Sequence, residues 1–450
     1  MYITDNSLVV TFNKAVKWFL PLCFFIFLPF NALAQINEDD DDDEEEVVAT
    51  SDDEIIVMDQ EGNEEVIEFP EAMTYDLDSL LNLYTSKTYL DEEDCNMRDI
   101  NPVFSKEEYI DRLSRIPTVM EMAYNDVVQK FIDRYSGRLR HSISYMLGAS
   151  NFYIPIFEEA LEAYQLPLEL KYLPIIESAL NPKAVSRVGA TGLWQFMITT
   201  GKQYGLQVNS LLDERRDPVK ASYAAAHYLR DLYRVFGDWN LVIAAYNCGP
   251  ENINKAIHRS NGEKDYWQIY PYLPKETRGY VPAFIAANYM MTYYSQHNIC
   301  PMSTRLPAKT DTVMVNRNLH LEQVAEVIGI NIDLLRSLNP MYRRDIVPGL
   351  TQPCPLRLPQ TEVGKFIDME DSVYNYKADD LLNKRTEVEV KDDVPTYYHK
   401  SKRYARGKKG RIGRRTKASR GRGKAYRSRT KATKRRSSAR KRKSTSRRRR

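Results

Sequence analysis

Histidine and cysteine are scarce in this chain, and the few that occur are scattered. The 450 residues include six histidines and five cysteines, with no CxxC pair and no clustered His/Cys spacing. Because zinc and iron–sulfur sites need such ligands close together, the sequence predicts no metal centre. We also expect no cofactor, so any chemistry must come from other side chains.

A long unbroken apolar run is also missing, which argues against a membrane-spanning helix. The apolar segment 18–30 is short and contains two prolines. Two lysines precede it, and Ala-Leu-Ala at 32–34 supplies a small-x-small cleavage site, so residues 1–34 are predicted to be a secretory signal peptide. We expect a soluble exported protein, with lipid attachment at Cys23 as the alternative. The remaining cysteines could form disulfides in three pairings that the sequence leaves open: Cys95, Cys248, Cys300 and Cys354.

Acidic side chains are absent from the C-terminal segment 400–450. This segment holds 27 of the 64 Lys and Arg residues, which leaves 37 basic against 61 acidic side chains in the rest of the chain. With almost no apolar residues, the tail is predicted to be disordered. Nucleic-acid binding is one function for such a tail. Because an exported protein meets little nucleic acid, we expect the tail to contact an anionic envelope surface instead.

Composition divides the chain into seven segments, and the predicted fold class is mainly α with a small α+β module. The acidic run from Glu38 and the basic tail flank two regions with regular apolar periodicity. The predicted segments are a signal peptide (1–34), an acidic disordered spacer (35–70), an N-terminal helical region that packs on the catalytic domain (71–154), a helical catalytic domain (155–300), a β-α-α-β module (309–360), a linker (361–399) and a basic disordered tail (400–450).

Capping residues and prolines mark the predicted helix starts. Ser105 and Asp217 each precede an apolar-periodic segment and are predicted N-caps. Pro155 and Pro167 suit the first turn of a helix, where the missing N–H costs nothing. Pro174 is expected to lie inside a helix over residues 166–180 and to kink it.

Glu177 stands out because no Asp or Glu occurs between residues 178 and 212. It lies near the end of the segment 166–180, which is apolar almost all round and is therefore predicted to be buried. Burial disfavours the charged form of a carboxyl group, so we expect a raised pKa, as a general acid requires. Glu177 is the predicted catalytic residue.

Four motifs follow one another in this region: ESALNP, AxSxxGAxGLWQFM, AYNxG and ETRxYVP. In this order and spacing, residues 105–295 resemble the lysozyme-like lytic transglycosylases. Residues 311–359 resemble a lysin-motif (LysM) peptidoglycan-binding module, with Asn-Leu-His at 318–320 where Gly-Asp-Thr is usual.

The resemblance implies a lysozyme-like helical domain that cleaves the β-1,4 bond between N-acetylmuramic acid and N-acetylglucosamine. Glu177 would protonate the glycosidic oxygen and then, as a base, take the proton of the C6 hydroxyl that attacks C1. The product is a 1,6-anhydro sugar. The resemblance further implies a monomer whose partner is the peptidoglycan glycan strand, in the periplasm or at the outer membrane of a Gram-negative bacterium. The implied substrate-binding residues are Ser186, Gln195, Met197, Tyr246, Asn247 and Tyr280.

Two alternative functions remain at this point. A goose-type lysozyme would need water and, in the usual mechanism, a second carboxylate facing the first, for which Asp213 or Glu276 are the candidates. A non-catalytic wall-binding protein would be expected to lack Glu177 or the Ala-Tyr-Asn motif, and both are present. We expect Glu276 to pair with Arg278 instead, and Trp194 to pack beneath the site.

Overall fold

The computed structural model describes residues 55–58, 64–74, 97, 99–382 and 388. The mainly helical fold class predicted from the sequence is confirmed, and the signal peptide and basic tail lie outside the described residues. The helices are α1 (Lys106–Ser114), α2 (Asp126–Ser136), α3 (Arg140–Ala163), α4 (Leu173–Ser178), α5 (Ile198–Gln203), α6 (Pro218–Phe236), α7 (Trp239–Cys248), α8 (Pro250–Arg259), α9 (Tyr266–Ile269), α10 (Lys275–Arg278), α11 (Tyr280–Tyr293), α12 (Leu321–Ile328), α13 (Ile332–Leu338), α14 (Val363–Asp368), α15 (Glu370–Asn375) and α16 (Ala378–Leu381). The strands are β1 (Ile55–Met58), β2 (Glu64–Ile67), β3 (Thr310–Val315), β4 (Asn318–His320), β5 (Ile346–Pro348) and β6 (Cys354–Pro359).

The helical domain is organised around α11, which is buried on every face from Tyr280 to Met291. It packs against α2, α4 and α7, while α3 packs against α6. A helix that is apolar all round has to be surrounded by other elements, so α11 fixes the arrangement of its neighbours. The first residue of α11, Tyr280, is thereby placed inside the domain.

The predicted N-caps are observed. The Ser105 side chain accepts a hydrogen bond from the Glu108 backbone N–H at the start of α1. The Asp217 carboxylate accepts from the N–H groups of Val219 and Lys220 at the start of α6. Each cap satisfies backbone donors that have no partner within the helix.

Two predictions made from prolines were wrong. Pro155 does not begin a helix but lies within the 24-residue helix α3, where tertiary packing outweighs its local preference. Pro174 does not kink a long helix, because residues 168–172 form a separate 3₁₀ turn and α4 begins at Leu173. Pro174 thus occupies the first turn of a short helix, where its missing N–H has no intrahelical partner to lose.

The predicted disorder of the spacer 35–70 was wrong for the residues that the structure describes there. Strands β1 and β2 pair antiparallel, with Ile55 opposite Ile67, and both side chains are buried. Phe69 then packs edge-on against Phe131 of α2, with ring centroids 5.3 Å apart. The apolar residues among the acids therefore dock on the helical domain.

The second module contains the predicted strand, two helices and strand. Strands β3 and β6 pair antiparallel from Thr310 opposite Pro359 to Val315 opposite Cys354, and α12 and α13 lie between them in the chain. The sequence did not predict the short pair β4–β5.

The module extends beyond its predicted end at residue 360. Residues 363–381 form α14, α15 and α16 instead of the predicted linker, and Phe366, Val373 and Tyr374 are buried in the module's core. The apolar periodicity of these helices extends over too few residues to distinguish them from a charged linker by sequence alone.

A seam joins the two domains, formed by residues 211–213 of the helical domain and residues 341–343 of the module. The N–H of Asp213 donates to the Met341 carbonyl at 2.9 Å, and the N–H of Arg343 donates to the Leu211 carbonyl at 2.7 Å. The side chain of Leu212 is buried in the core of the module. The module is thus docked on the helical domain through backbone pairing as well as side chains.

Within the described part of the chain, no helix combines the length and apolar character needed to cross a membrane. Cys300 is disulfide-bonded, and Cys248 carries a free thiol.

Candidate active site

Glu177 lies in the last turn of α4, which ends abruptly. The next two residues, Ala179 and Leu180, have positive φ angles of 49° and 60° and turn the chain away. Beside Glu177, the Ser178 hydroxyl donates to the Leu193 carbonyl at 2.9 Å. This bond ties the end of α4 to the glycine-rich turn that follows, so the carboxyl group sits on a fixed backbone.

The environment of Glu177 favours its protonated form. Burial raises the pKa of its carboxyl group to about 7, and the hydrogen bond from the Tyr280 hydroxyl to Oε1 acts in the opposite direction. Burial and the negative charge of Glu177 in turn raise the pKa of Tyr280 well above its ordinary value. Tyr280 therefore stays protonated and acts as the donor, as expected for a phenol facing a carboxylate.

Residues 184–196 form a turn whose backbone is held by its own side chains. The Ser186 hydroxyl accepts from the Ala190 N–H at 3.0 Å, and Gln195 Nε2 donates to the Gly192 carbonyl at 2.8 Å. Gly192 has a φ of 89°, and a Cβ there would lie 1.8 Å from the Arg215 carbonyl oxygen. Only glycine fits this close approach.

Trp194 is completely buried, as predicted, and lies beneath the site. Its indole N–H donates to the Ser222 hydroxyl at 2.9 Å, and its ring packs edge-on against Phe157. The Tyr246 hydroxyl donates to the Trp194 carbonyl at 2.8 Å. Tyr246 also lies close enough to Glu177 for the charge of the carboxylate to contribute to its raised pKa, after burial.

The structure therefore brings Glu177, Tyr246 and Tyr280 together from α4, α7 and α11. Asn247 accepts a hydrogen bond from the Thr277 hydroxyl at 2.8 Å, which links the Ala-Tyr-Asn motif to α10. Met197, at the N-cap of α5, is 43% exposed, as expected for a surface-lining residue. Direct contact of these residues with a sugar stays a prediction.

Neither alternative acid is placed to act as a free second carboxylate. Asp213 is completely buried at the seam, where Arg215 donates to both its oxygens at 2.9 Å and Arg343 donates at 2.7 Å. Burial by itself raises the pKa of Asp213, but the two arginines outweigh it and hold the pKa below its ordinary value. Glu276 is exposed on α10.

The predicted ion pair between Glu276 and Arg278 was wrong. The Arg278 guanidinium pairs with Glu65 of strand β2, far away in the chain. Sequence reasoning missed three residues that hold the site together through ion pairing or hydrogen bonding: Glu65, Ser178 and Thr277. Thr277 lies within ETRxYVP and Ser178 within ESALNP, so membership of these motifs was the available signal.

In the residues that the structure describes, no group of three or more His, Cys, Asp or Glu side chains could hold a metal ion. The chemistry that this arrangement offers is proton transfer by one carboxyl group whose pKa lies close to neutrality.

Comparisons with known proteins match both parts of the chain. Residues 155–269 match the family described as "Transglycosylase SLT domain", and residues 309–375 match "Lytic transglycosylase MltD, LysM-like domain". The first match contains three of the four motifs, and the two matches confirm both resemblances drawn from the sequence. The second match also ends beyond residue 360, where α14 and α15 complete the module.

Two curated relatives and one solved structure are similar to parts of the chain. Membrane-bound lytic murein transglycosylase D of Escherichia coli K12 is 34% identical over 178 residues, covering 39% of each chain. Soluble lytic murein transglycosylase of the same strain is 34% identical over 124 residues, covering 26% of this chain and 19% of that protein. The crystal structure of the 70 kDa soluble lytic transglycosylase from Escherichia coli is 30% identical, with a TM-score of 0.29, and covers 34% of this chain and 26% of that one.

The chain therefore spans less than half the length of the two curated relatives. The first match lies within the helical domain and includes Glu177 and Tyr246, but it ends before Tyr280. The second match covers the module docked on the domain at the seam. The chain contains a transglycosylase SLT domain at residues 155–269, followed by an MltD-type LysM-like domain at residues 309–375.

Proposed function

We propose that the protein is a peptidoglycan lytic transglycosylase with Glu177 as its single acid and base. It cleaves the β-1,4 bond between N-acetylmuramic acid and N-acetylglucosamine without water and leaves a 1,6-anhydro-N-acetylmuramic acid end. The observation that carries this proposal is the raised pKa of Glu177, about 7, beside the hydroxyl of Tyr280. The SLT match and the names of the relatives support the substrate class.

The first step needs a proton donor. With a pKa of about 7, Glu177 is about half protonated at pH 7 and largely protonated at pH 6, where an ordinary glutamic acid is ionised. It gives its proton to the glycosidic oxygen as the bond from C1 to that oxygen breaks. N-acetylglucosamine leaves with this proton as a free hydroxyl group.

The second step needs a base, and the same carboxylate provides it. Glu177, now charged, takes the proton of the C6 hydroxyl while the oxygen forms a bond to C1. The Tyr280 hydroxyl stabilises the charged carboxylate between the two steps. Glu177 ends the cycle protonated, so the reaction consumes neither water nor protons.

A single carboxylate is sufficient because the nucleophile belongs to the substrate. A well-held intramolecular hydroxyl has an effective molarity far above that of any free reactant. Hydrolysis by a carboxylate pair would need a second acid opposite the first. Asp213 is occupied by two arginines, and Glu276 is exposed, so neither supports that alternative.

Around this centre, we propose that Ser186, Gln195, Met197, Tyr246 and Asn247 contact the glycan strand. Ser186 and Gln195 lie on the turn 184–196, and Met197 follows it at the N-cap of α5. Tyr246 and Asn247 lie at the end of α7, which is linked to the turn through the bond from Tyr246 to Trp194. We further propose that the LysM-like module binds the same polymer, in the periplasm or at the outer membrane.

Mass spectrometry of muropeptides released from purified peptidoglycan tests the proposal. The wild-type protein should release products that end in 1,6-anhydro-N-acetylmuramic acid, which are one water lighter than hydrolysis products and resist borohydride. Glu177→Gln should release none, because the amide cannot donate the proton. Glu276→Gln is the matched control and should retain activity.

Each other outcome has a defined meaning. Borohydride-reducible ends would show that water is the nucleophile and would identify a lysozyme-type hydrolase. Loss of activity in Glu276→Gln alone would give that exposed acid the catalytic role. Binding to peptidoglycan without any release would identify a non-catalytic wall-binding protein.

A further inference from the structure

Residues 64–74, here called the strap, pack beside the proposed active site. The strap includes strand β2, a short connection and a 3₁₀ turn over Glu71–Thr74. Ile67, Ala72 and Met73 are buried, and the 3₁₀ turn packs against α4, the helix that carries Glu177. The segment is therefore in contact with the catalytic helix itself.

The first contact of the strap is with the turn that precedes Tyr280. Glu65 forms an ion pair with Arg278, whose guanidinium also donates to the Leu273 carbonyl at 3.1 Å and to the Pro271 carbonyl at 2.6 Å. Both partners are largely shielded, with 21% of the Glu65 side chain and 16% of the Arg278 side chain exposed. Arg278 thus ties the loop before α10 to the strap.

The strap backbone reaches the same turn at Gly279, the residue next to Tyr280. A Cβ at Gly279 would lie 2.4 Å from the Glu68 carbonyl oxygen and 3.1 Å from Ile67 Cγ2. This approach leaves no space for a side chain. The position of the α11 N-terminus, and of the Tyr280 hydroxyl with it, therefore depends on the strap.

The second contact of the strap is with the turn that carries Ser186. The Glu71 carboxylate accepts a hydrogen bond from the Arg187 backbone N–H at 3.2 Å. The Ser186 hydroxyl holds the other side of this turn through the Ala190 N–H. The strap thus bonds to two turns that come from distant parts of the sequence and that carry residues of the proposed active site.

We propose that Glu65 and Glu71 are positioning residues of the active site. Glu65 acts through Arg278 to hold the Tyr280 hydroxyl on Glu177, and Glu71 acts through the Arg187 amide to hold Ser186 in place. The inference rests on the proposed function for its catalytic consequence, but the geometry can be tested without activity.

The strap provides its own matched controls. Glu64 and Glu68 are exposed glutamates of the same segment. Changing any one of the four to Gln removes the same single charge from nearly the same place. If the variants at Glu65 and Glu71 differ from the exposed controls, the difference therefore reports positioning and not a general change in the electrostatic field.

The kinetic experiment compares the four variants in muropeptide release. Glu65→Gln should lower kcat by roughly tenfold, since a displacement of about 1 Å in a reacting group can cost a hundredfold. The alkaline limb of its pH–rate profile should move to higher pH. The Tyr280 hydrogen bond lowers the pKa of Glu177, so weakening this bond raises that pKa. Glu71→Gln should mainly raise KM, and Glu64→Gln and Glu68→Gln should resemble wild type.

The second experiment needs no substrate. In the described residues, the titratable groups that face Glu177 are Tyr280 and Tyr246. Carbon-13 NMR of labelled glutamate should show that the Glu177 carboxyl titrates at higher pH in Glu65→Gln than in Glu64→Gln. Amide hydrogen exchange at Arg187 should become faster in Glu71→Gln than in Glu68→Gln.

The outcomes separate the two proposals. If wild type releases no anhydro products but the NMR differences appear, the proposed function fails and the positioning role stands. Equal Glu177 titration in Glu65→Gln and Glu64→Gln, with equal Arg187 exchange in the other pair, would overturn the positioning role whatever the activity.

Discussion

Two carboxyl groups of the same helical domain, the partly buried Glu177 at the end of α4 and the completely buried Asp213 at the seam, have pKa values shifted in opposite directions. Burial raises the pKa of Glu177 to about 7, and the hydrogen bond from the neutral phenol of Tyr280 offsets only part of this effect. Asp213 experiences the same effect of burial, but Arg215 and Arg343 reverse it and lower its pKa. Desolvation acts on both groups, and the neighbouring charges decide the result.

Under the proposed function, the difference separates a group that exchanges protons, Glu177, from one that remains charged, Asp213. A proton donor gains from an environment that makes its charged form costly. A buried ion pair at a domain junction has to be fully partnered, because a lone buried charge is strongly destabilising. The four predictions below test this contrast, from the largest expected effect to the smallest.

Replacement of Asp213 by Asn should give the largest effect on stability. The neutral amide leaves Arg215 and Arg343 without a counter-charge, and breaking a buried pair costs about 3–5 kcal/mol. Chemical denaturation at pH 7.5 measures the loss.

The pH dependence of this loss has a defined sign. Because the folded pKa of Asp213 is lowered, its stabilising contribution is complete above its ordinary pKa and disappears as the pH falls through the folded value. The difference between wild type and Asp213→Asn should therefore shrink below about pH 4. The exposed Asp368, changed to Asn, is the control. Equal stability of both variants at pH 7.5 would contradict a structural role for the seam.

Tyr280→Phe should reduce kcat/KM by roughly 10- to 100-fold, since a hydrogen bond to a charged group contributes about 1.5–3 kcal/mol. Removal of the hydroxyl also removes the interaction that lowers the pKa of Glu177. The alkaline limb of the pH–rate profile should therefore move upwards. A profile that drops uniformly with no shift would assign Tyr280 to substrate binding alone.

Glu177→Gln should have the opposite effect on stability from Asp213→Asn. The folded pKa of Glu177, about 7, is above its ordinary value of 4.5, so the wild type loses stability as the pH rises between these values. The amide does not ionise, so the inactive variant should be more stable by roughly 1–3 kcal/mol at pH 8. At pH 4, thermal denaturation should show little difference. A less stable variant at pH 8 would mean that the charged carboxylate is well partnered.

The smallest effect is expected at the exposed edge of the seam. Gln207 and Gln352 exchange side-chain hydrogen bonds of 3.4 and 2.9 Å between the domain and the module. Because water competes for exposed amides, Gln352→Ala should cost only about 0.5 kcal/mol. A double-mutant cycle with Gln207→Ala measures the coupling energy of the two side chains. A coupling energy as large as the loss expected for Asp213→Asn would show that the exposed edge stabilises the seam as much as the buried ion pairs do.

Local sequence signals were sufficient where the chemistry was local. Ser105 and Asp217 cap helices because their side chains bond to backbone only two or three residues away. Glu177 was identified from its own apolar helix and the acid-free stretch that follows. Trp194 was placed beneath the site from its position after a glycine turn.

Predictions failed where distant residues decided the outcome. Pro155 lies inside α3 because the packing of a 24-residue helix outweighs one missing backbone hydrogen bond. Strands β1 and β2 of the predicted spacer form a pair because Ile55 and Ile67 occupy buried positions against the helical domain. Arg278 pairs with Glu65 and not with Glu276, two positions away, because α10 directs the two side chains differently.

The sequence by itself determined the two domains, their order and the carboxyl group on which the proposed chemistry depends. It also predicted that the pKa of this group is raised, but not its value, the arginine partners of Asp213 or the course of the strap. A pKa is set by solvent exclusion and by charges within a few ångströms. For Glu177 and Asp213 those surroundings are supplied by Tyr280 and Arg343, which only the tertiary structure brings into contact with them.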